Sequence, residues 1–417
     1  MSAPYLDLGI VSAYADAKRG GYTGTYDEFC ALLAGIGGLQ PKLTAGQNIS
    51  ITGNVIDTKA FPCSPNLKDN WYFPNPVNQR NGHVAPPKGP GHLYSDAACT
   101  LLISGGTIDA YRQVTPVSTG NYSYSVDGGT YYVKASDVVP GYTGIGYTID
   151  RWELAAWNTN SIAMIVEADG VRLIGTSNSA NSAQLQELTQ LLSFAAGAVV
   201  TASILVTALG ANGASPRLFL CKSDGTSIGS CIIESVGLHT FTMVIPDDAG
   251  DSVMLAWGQH ASSGGFGNTD MTVKAVKLEL GSVQTLAHQD ANGAWVLNEI
   301  PDYGEQLRRC QRYYYRKVST GEYSQLFPVA SNYTGDTIAF CLPAPLMRVN
   351  PSIQAKGILF FKTQNGNVSI DVTDKELSVR GNNIGNVIVT LQNNVLGANA
   401  YGTCLADSFE YSLSADL

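Results

Sequence analysis

The chain has 417 residues, of which 44% are apolar and only 14% are charged, whereas a typical soluble domain has about 25% charged residues. It carries 25 basic and 34 acidic residues, so its formal net charge is −9, and basic residues cluster only in short pairs such as Arg308-Arg309. Because nucleic acid binding requires many cations to neutralise phosphates, this composition argues against that class of partner. The abundant hydroxyl and amide side chains favour β-structure and neutral polar ligands.

Two further classes of protein are disfavoured. The first residues lack the basic and apolar regions of a secretory signal, and no run of about 18 uninterrupted apolar residues predicts a membrane span. We therefore expect a soluble protein made in a cytoplasm, without membrane insertion. The eight cysteines are scattered without a C-x-x-C pair and are interpreted as reduced, although a Cys221–Cys231 bridge across a hairpin stays open.

The predicted elements begin with two short helices. Thr25 and Glu28 have the spacing of a capping box, and apolar residues follow at helical spacing from Phe29 to Ile36. An earlier helix is predicted through residues 10–19. Each helix has a single apolar stripe, so it needs a partner surface or copies of itself.

A small hairpin and a linker come next. The alternating pattern around Ile49 and Ile51 predicts two short strands without a core of their own. Several prolines between residues 62 and 76 then mark a linker. We therefore interpret residues 1–60 as an oligomerisation segment.

From about residue 66 the sequence predicts strands separated by turns rich in Gly and Asn. Asp127-Gly128 and Asp169-Gly170 each separate two strand-like runs, which is typical of β-hairpins. Many short strands predict an antiparallel sandwich or jelly roll over residues 61–300 and a second β-sandwich over 301–417, which ends in a paired strand at 408–413. The expected fold class is mainly β, with short N-terminal helices followed by two antiparallel β-sandwich or jelly-roll domains.

Four segments resemble tail proteins of phages and prophages from gut bacteria. The sequence departs from that pattern at Asn81 and at residues 298–302. The segments are G-G-Y-T-G-T-Y-D-E-F at 20–29; D-N-W-Y-F-P-N-P-V-N-Q-R at 69–80 together with G-Y-T-I-D-R-W at 146–152; V-K-L-E-L-G at 276–281 followed by Y-G-E at 303–305 and C-Q-R-Y-Y at 310–314; and L-P-A-P-L-M-R at 342–348 followed by N-P at 350–351.

The resemblance implies a tail fibre or receptor-binding protein, located in the tail of the virion and assembled in the host cytoplasm. Residues 1–60 would attach to phage tail or baseplate proteins and hold the chains together as a homotrimer. Residues 61–300 would form a jelly roll that resembles carbohydrate-binding modules, and 301–417 a tip domain. The implied partner is a bacterial surface glycan. Two alternatives stay open: a structural spacer or decoration protein without a ligand, and a polysaccharide depolymerase.

Motifs that suggest catalysis have simpler interpretations. The sequence G-T-S-I-G at 225–229 matches a nucleophile elbow, but it stands between two predicted strands and so predicts a hairpin loop. Asp302 and Glu305 are close in sequence, yet a hinge or surface role is simpler than a pair of glycosidase carboxylates. The run Tyr313-Tyr314-Tyr315 alternates along a strand and favours packing over sugar stacking.

The histidines show no spacing typical of metal ligands, so we expect isolated hydrogen bonds from them. We expect no enzymatic activity and no cofactor, and we identify no catalytic, cofactor-binding or metal-binding residue. The sequence does not identify the loops that would contact the glycan. The histidines are His83, His92, His239, His260 and His288.

We predict an obligate oligomer, because the Ile49/Ile51 hairpin and the two helices have apolar faces that nothing in their own sequence covers. Light scattering of the full-length protein should give about three times the chain mass of 44.2 kDa. A monomeric mass at micromolar concentration would contradict this prediction.

Overall fold

The structure is a computed structural model. Contacts between Cα atoms separate two compact units, Met1–Phe61 and Pro62–Leu417, and the further boundary at residue 301 stays a prediction. The described residues are 8–36, 49–52, 55–58, 65–157, 161–176, 182–190, 197–210, 215–222, 224–249, 252–259, 268–318, 325–334, 337–363, 366–373, 375–383, 385–392 and 402–415.

The unit Met1–Phe61 contains the predicted helices and hairpin. The capping box is confirmed, because the Thr25 amide donates to Glu28 Oε2 at 2.7 Å and the Glu28 amide donates to Thr25 Oγ1 at 3.3 Å. The Tyr14 ring packs between the helices, 5.5 Å from the Phe29 ring. Leu32 remains 55% exposed within this unit. The elements are α1 (Leu8–Arg19), α2 (Tyr26–Ile36), β1 (Ile49–Thr52) and β2 (Val55–Thr58).

Residues between 65 and 300 form a sandwich, here called the first sandwich, in which two antiparallel sheets enclose the main core and smaller buried clusters lie beside it. Phe73 lies at its centre, with ring centroids 5.3 Å from Trp152 and 6.0 Å from Trp257. The linker predicted between residues 62 and 76 is therefore wrong at Trp71 and Phe73, because both aromatic side chains are buried in this core. The larger sheet has the order β16 (Gly237–Val244), β13 (Val199–Leu209), β18 (Thr269–Leu280), β11 (Gly170–Thr176), β10 (Ser161–Glu167), β7 (Val139–Thr143), β3 (His83–Ala85), β4 (Arg112–Pro116), β5 (Tyr122–Val126), β6 (Gly129–Val133). The smaller sheet has the order β15 (Ser227–Ile232), β14 (Arg217–Lys222), β17 (Ser252–Gly258), β12 (Ser182–Gln190), β9 (Glu153–Trp157), β8 (Gly146–Tyr147).

The C-terminal strands surround a second core that includes Phe340, Phe409, Tyr411 and Leu413. The expected mainly β fold class is confirmed, as is the paired strand at the C-terminal end. Within the described ranges, no helix is long and apolar enough to cross a membrane. The connecting elements are β19 (Ala287–Gln289), β20 (Trp295–Leu297) and α3 (Tyr303–Cys310). The C-terminal strands pair in the order β25 (Gly366–Asp371), β24 (Ser352–Thr363), β28 (Gly402–Ser414), β22 (Gln325–Thr334), β23 (Thr337–Ala344), β27 (Gly385–Gln392), β26 (Leu377–Asn383), and β21 (Tyr314–Val318) also pairs with β28.

Segments 66–80, 146–152 and 302–316 meet at one place, here called the joint, and Asn70 lies at its centre. The Asn70 amide nitrogen donates to the main-chain oxygens of Val77 at 2.9 Å and Asp150 at 2.7 Å, and its side-chain oxygen accepts from the Val77 amide at 2.6 Å. The Asn70 main-chain N–H donates to Gln306 Oε1 at 2.7 Å. Trp152 Nε1 donates to the Asn70 carbonyl at 3.1 Å. One buried residue therefore connects three distant parts of the chain.

Two arginines of the first sandwich stack on tyrosines of the joint. The Arg151 guanidinium lies 3.6 Å from the centre of the Tyr313 ring, and that of Arg80 lies 3.8 Å from the Tyr314 ring. Such contacts contribute about 0.5–2 kcal/mol each, depending on how far water is excluded. The next ring, that of Tyr315, packs against the second core. The predicted packing role of these tyrosines is therefore confirmed.

The joint also contains a fully buried carboxylate. Asp150 accepts from the Gln79 amide N–H at 3.2 Å, contacts the Gln79 side-chain amide, and lies 3.6 Å from Arg80 Nη1. The same Gln79 side chain donates to the Tyr314 main-chain oxygen at 2.7 Å. A buried carboxylate is tolerated only with such partners, so Asp150 favours one arrangement of these segments.

We predict that Pro62–Leu417 folds without residues 1–60, because it contains both cores. A chain that lacks residues 1–60 should keep one or more cooperative thermal transitions when followed by tryptophan fluorescence. Loss of all cooperative unfolding would place part of a core in the deleted segment.

Asn70→Ala should lower the free energy of unfolding by about 3 kcal/mol or more, because it leaves buried main-chain groups unpaired. The matched control is Asn81→Ala, since Asn81 is exposed and has a φ of 50°, close to the 53° of Asn70. The control should show only the conformational cost of about 1 kcal/mol for a left-handed alanine. Chemical denaturation measures both, and equal losses would mean that backbone conformation alone explains the Asn70 effect.

Candidate functional site

The catalytic motifs lie in structural positions. Ser227 begins β15, which pairs with β14 in an antiparallel hairpin, so the predicted loop at G-T-S-I-G is confirmed. Asp302 is the N-cap of α3 and accepts from the Glu305 amide at 2.8 Å. Glu305 in turn forms an ion pair with Arg308 at 2.8 Å. Both carboxylates therefore stabilise the first turn of a helix.

The described histidines make separate contacts. His92 Nδ1 lies 3.0 Å from Asp137 Oδ2, and His239 Nε2 lies 2.8 Å from the Ser235 carbonyl oxygen. His288 contacts Asn298, and His83 packs against the Tyr122 ring. His260 lies outside the described residues. In the part of the chain that the structure describes, no three His, Cys, Asp or Glu side chains are grouped to hold a metal ion.

Cys221 and Cys231 are both free thiols. Cys221 lies opposite Ser227 and Cys231 lies opposite Leu218, so the two cysteines are not cross-strand partners, and the bridge left open above does not form. Burial raises the pKa of the Cys221 thiol to about 12 and that of Cys231 to about 11. Since the thiolate is the reactive form, neither residue is suited to nucleophilic chemistry at neutral pH.

A groove of about 500 Å³ lies on the C-terminal strands and is the candidate functional site. Binding sites for small ligands commonly occupy about 300–1,000 Å³, so this volume is sufficient for a saccharide unit. The groove is lined by Ile353, Gln354, Ala355, Lys356, Thr373, Lys375, Glu410 and Ser412.

The register of β24 and β28 places the polar residues of the groove side by side. Gln354 lies opposite Ser412, and Lys356 lies opposite Glu410. Neighbouring side chains of a strand point to opposite faces, and Tyr411 is buried in the second core. Glu410 and Ser412 therefore lie on the face away from that core, together with their partners on β24.

An irregularity in β24 positions the second wall of the groove. The register with β28 shifts between Lys356 and Ile358, and Gly357 has a φ of 107°, which favours glycine. The Gly357 N–H donates to Thr373 Oγ1 at 3.1 Å, so the turn after β25 is held against the bulge. This contact brings Thr373 and Lys375 to the groove.

Glu410 is the carboxylate of the groove, and two cations contact it. Arg316 Nε lies 2.6 Å from its Oε1, and Lys356 Nζ lies 3.1 Å from its Oε2. Burial opposes ionisation, but the hydrogen bonds and charges of Arg316 and Lys356 outweigh it and lower the pKa of Glu410. Glu410 is therefore ionised at neutral pH and serves as a hydrogen-bond acceptor.

The described residues of the groove lining supply an amide, two hydroxyls, two ammonium groups and one carboxylate. Such groups donate and accept hydrogen bonds in directions that fit several hydroxyls of one ligand. A glycosidase needs two carboxylates, one of them kept protonated by a raised pKa, whereas Glu410 has a lowered pKa. The arrangement is suited to hydrogen bonding with a polar ligand.

A second polar surface lies on β4, β5 and β6. Thr115, Ser125 and Thr130 are exposed there, and the hydroxyls of Ser125 and Thr130 lie 3.3 Å apart. This surface is an open sheet face without charged groups among these residues. It is a weaker candidate because binding sites are generally concave, and it offers a control surface of similar chemistry.

Sequence patterns alone do not identify the groove residues. The alternation S-I-Q-A-K at 352–356 indicates a strand with one polar face, but it does not reveal the strand beside it. Glu410 is 54 residues from Lys356 in the chain, so only the pairing of β24 with β28 brings them together.

No protein family and no curated protein match the sequence. Among solved structures, the enzymatically active domain of bacteriophage CBA120 tailspike protein 4 is 8% identical, with a TM-score of 0.23, over 31% of this chain and 19% of its own length. A CBM4 structure is 13% identical, with a TM-score of 0.23, over 31% of this chain and 87% of its own. A carbohydrate-binding module of the β-sandwich superfamily is 13% identical, with a TM-score of 0.24, over 49% of this chain and 93% of its own. Each similarity is low, so function has to be inferred from the chain's own residues.

Proposed function

We propose that this protein is a phage tail fibre or receptor-binding protein that binds a bacterial surface glycan through the groove on β24 and β28. The observation that carries the proposal is the groove itself, where Gln354 and Ser412 present an amide and a hydroxyl beside the ionised Glu410. The assignment to the phage tail is supported by the four sequence segments that resemble such proteins.

The chemistry of the groove suits sugar hydroxyls. A carboxylate accepts hydrogen bonds from two hydroxyls, and the Gln354 amide both donates and accepts. The Lys356 side chain is 64% exposed, so its ammonium group has room for a ligand oxygen as well as for Glu410. Each contact is weak because water competes for it, and a trimer would compensate by binding several glycans at once.

Two alternative functions differ from this proposal in what they require. A structural spacer or decoration protein needs no ligand, and the polar groove would then be an ordinary surface feature. A polysaccharide depolymerase needs a second carboxylate within about 5–10 Å of the first, and Glu410 is the one carboxylate among the described residues that line the groove. The lining of the groove therefore favours a binding protein without enzymatic activity. Attachment to the virion through residues 1–60 is proposed on the sequence resemblance alone.

We predict that Gln354→Ala reduces glycan binding about tenfold, which corresponds to the loss of one or two hydrogen bonds to a bound sugar. Gln354 is exposed, so the fold should be unaffected. The matched control is Thr130→Ala on the exposed face of β6, which should leave binding unchanged. A bacterial glycan array followed by titration of the best ligand measures both variants.

The outcomes separate the three functions. Absence of binding to any host glycan by the wild type would favour the spacer or decoration protein. Release of reducing ends from host polysaccharide would favour the depolymerase. Binding that is lost in Thr130→Ala but kept in Gln354→Ala would move the site to the β4–β6 surface.

A further inference from the structure

Arg316 contacts both the groove and the first sandwich. It lies on β21, and its Nε donates to Glu410 Oε1 at 2.6 Å. Its Nη1 donates to the main-chain oxygens of Gln79 at 3.2 Å and Arg80 at 3.3 Å. A single planar guanidinium therefore connects the carboxylate of the groove to the main chain of the segment that enters the joint.

The neighbouring contacts fix the position of β21 against that same segment. Gln79 Nε2 donates to the Tyr314 main-chain oxygen at 2.7 Å, and the Arg80 guanidinium stacks on the Tyr314 ring at 3.8 Å. Arg316 is two residues from Tyr314, so both side chains lie on the same face of β21. If the joint opened, Arg316 would lose its two carbonyl partners and the fixed position from which it contacts Glu410.

The position of Glu410 depends mainly on Arg316 because Lys356, the other cation that contacts it, is largely exposed to solvent. The Lys356 side chain is 64% exposed, whereas that of Arg316 is only 25% exposed. A half-buried, planar donor fixes the direction of a carboxylate far better than a flexible ammonium group at the surface. Lys375 lines the groove, but no ion pair joins it to Glu410 among the described residues.

We infer that Arg316 is the positioning residue of the groove, and that ligand binding there depends on the contact between the first sandwich and β21 at the joint. This inference rests on the proposed function for its ligand, but the role of Arg316 toward Glu410 is independent of which ligand binds. On this inference, the segments at 69–80 and 310–314, which resemble phage tail proteins, do not line the groove themselves. Their function is to keep the groove in the conformation that binds its ligand.

The test compares Arg316→Met with Lys317→Met in the full-length protein. Lys317 is the neighbouring cation and points to the opposite face of β21, so it is the matched control. Loss of the Arg316 hydrogen bond and charge should raise the pKa of Glu410. Carbon-13 NMR of side-chain-labelled glutamate, assigned with Glu410→Gln, measures that pKa without any ligand.

Glycan affinity provides the second readout, with the best ligand of the array as probe. Arg316→Met should weaken binding about tenfold at pH 7, and the remaining binding should be lost at a higher pH than in the wild type, since Glu410 would protonate earlier as pH falls. Arg316→Lys should restore the pKa of Glu410 but only part of the affinity, because one ammonium group does not hold the carboxylate and both carbonyls. Arg80→Met, a variant outside the groove, should weaken binding about threefold by loosening β21.

Three results would overturn the inference. Arg316→Met with an unchanged Glu410 pKa and unchanged affinity would remove the positioning role, whatever happens to the melting temperature. If Lys317→Met changed the Glu410 pKa and the glycan affinity as much as Arg316→Met does, the effect of Arg316 would be a general effect of charge. Wild-type affinity in Arg80→Met would remove the dependence on the joint. A wild type that binds no glycan while Arg316→Met still raises the pKa of Glu410 would instead refute the proposed function and keep the positioning role.

Discussion

The arrangement of Pro62–Leu417 depends on one buried amide. Asn70 is 2% exposed and is bonded to the main chain of Val77 and Asp150, to the Gln306 side chain and to the Trp152 indole. Asparagine fits here because its amide both donates and accepts, and because it tolerates the left-handed conformation better than most residues. When the Asn70 side chain makes all of these hydrogen bonds, they fix the course of segment 66–80. That course places Phe73 in the core of the first sandwich.

The path of segment 66–80 also affects the groove on the C-terminal strands. Gln79 and Arg80 follow the Asn70 turn and present their main-chain oxygens to Arg316, which contacts Glu410 in the groove. A weak polar ligand needs side chains that are already in place, because ordering them at the moment of binding costs free energy. The joint therefore connects the stability of the fold to the competence of the candidate site.

Sequence patterns predicted the elements that depend on local chemistry. The capping box at Thr25 and Glu28, the Asp127-Gly128 hairpin and the packing of Tyr315 are all confirmed. Segments 69–80, 146–152 and 310–314 were singled out by resemblance, and the structure shows that they meet in the joint rather than in the groove. The residues of these segments are therefore explained by their structural contacts, since buried hydrogen bonds and cation–π contacts accept few substitutions.

By itself, the sequence determined a mainly β chain with short N-terminal helices, because periodicity, turn residues and capping depend on neighbours within a few positions. Low charge and abundant hydroxyl and amide groups likewise favour polar ligands, whatever the arrangement of the strands. Only the tertiary structure decided where such a ligand would bind. The register of two strands that are far apart in sequence makes neighbours of Gln354 and Ser412 and of Lys356 and Glu410. The alternation within each strand shows which of its side chains can face the second core, but only tertiary packing decides which two strands pair.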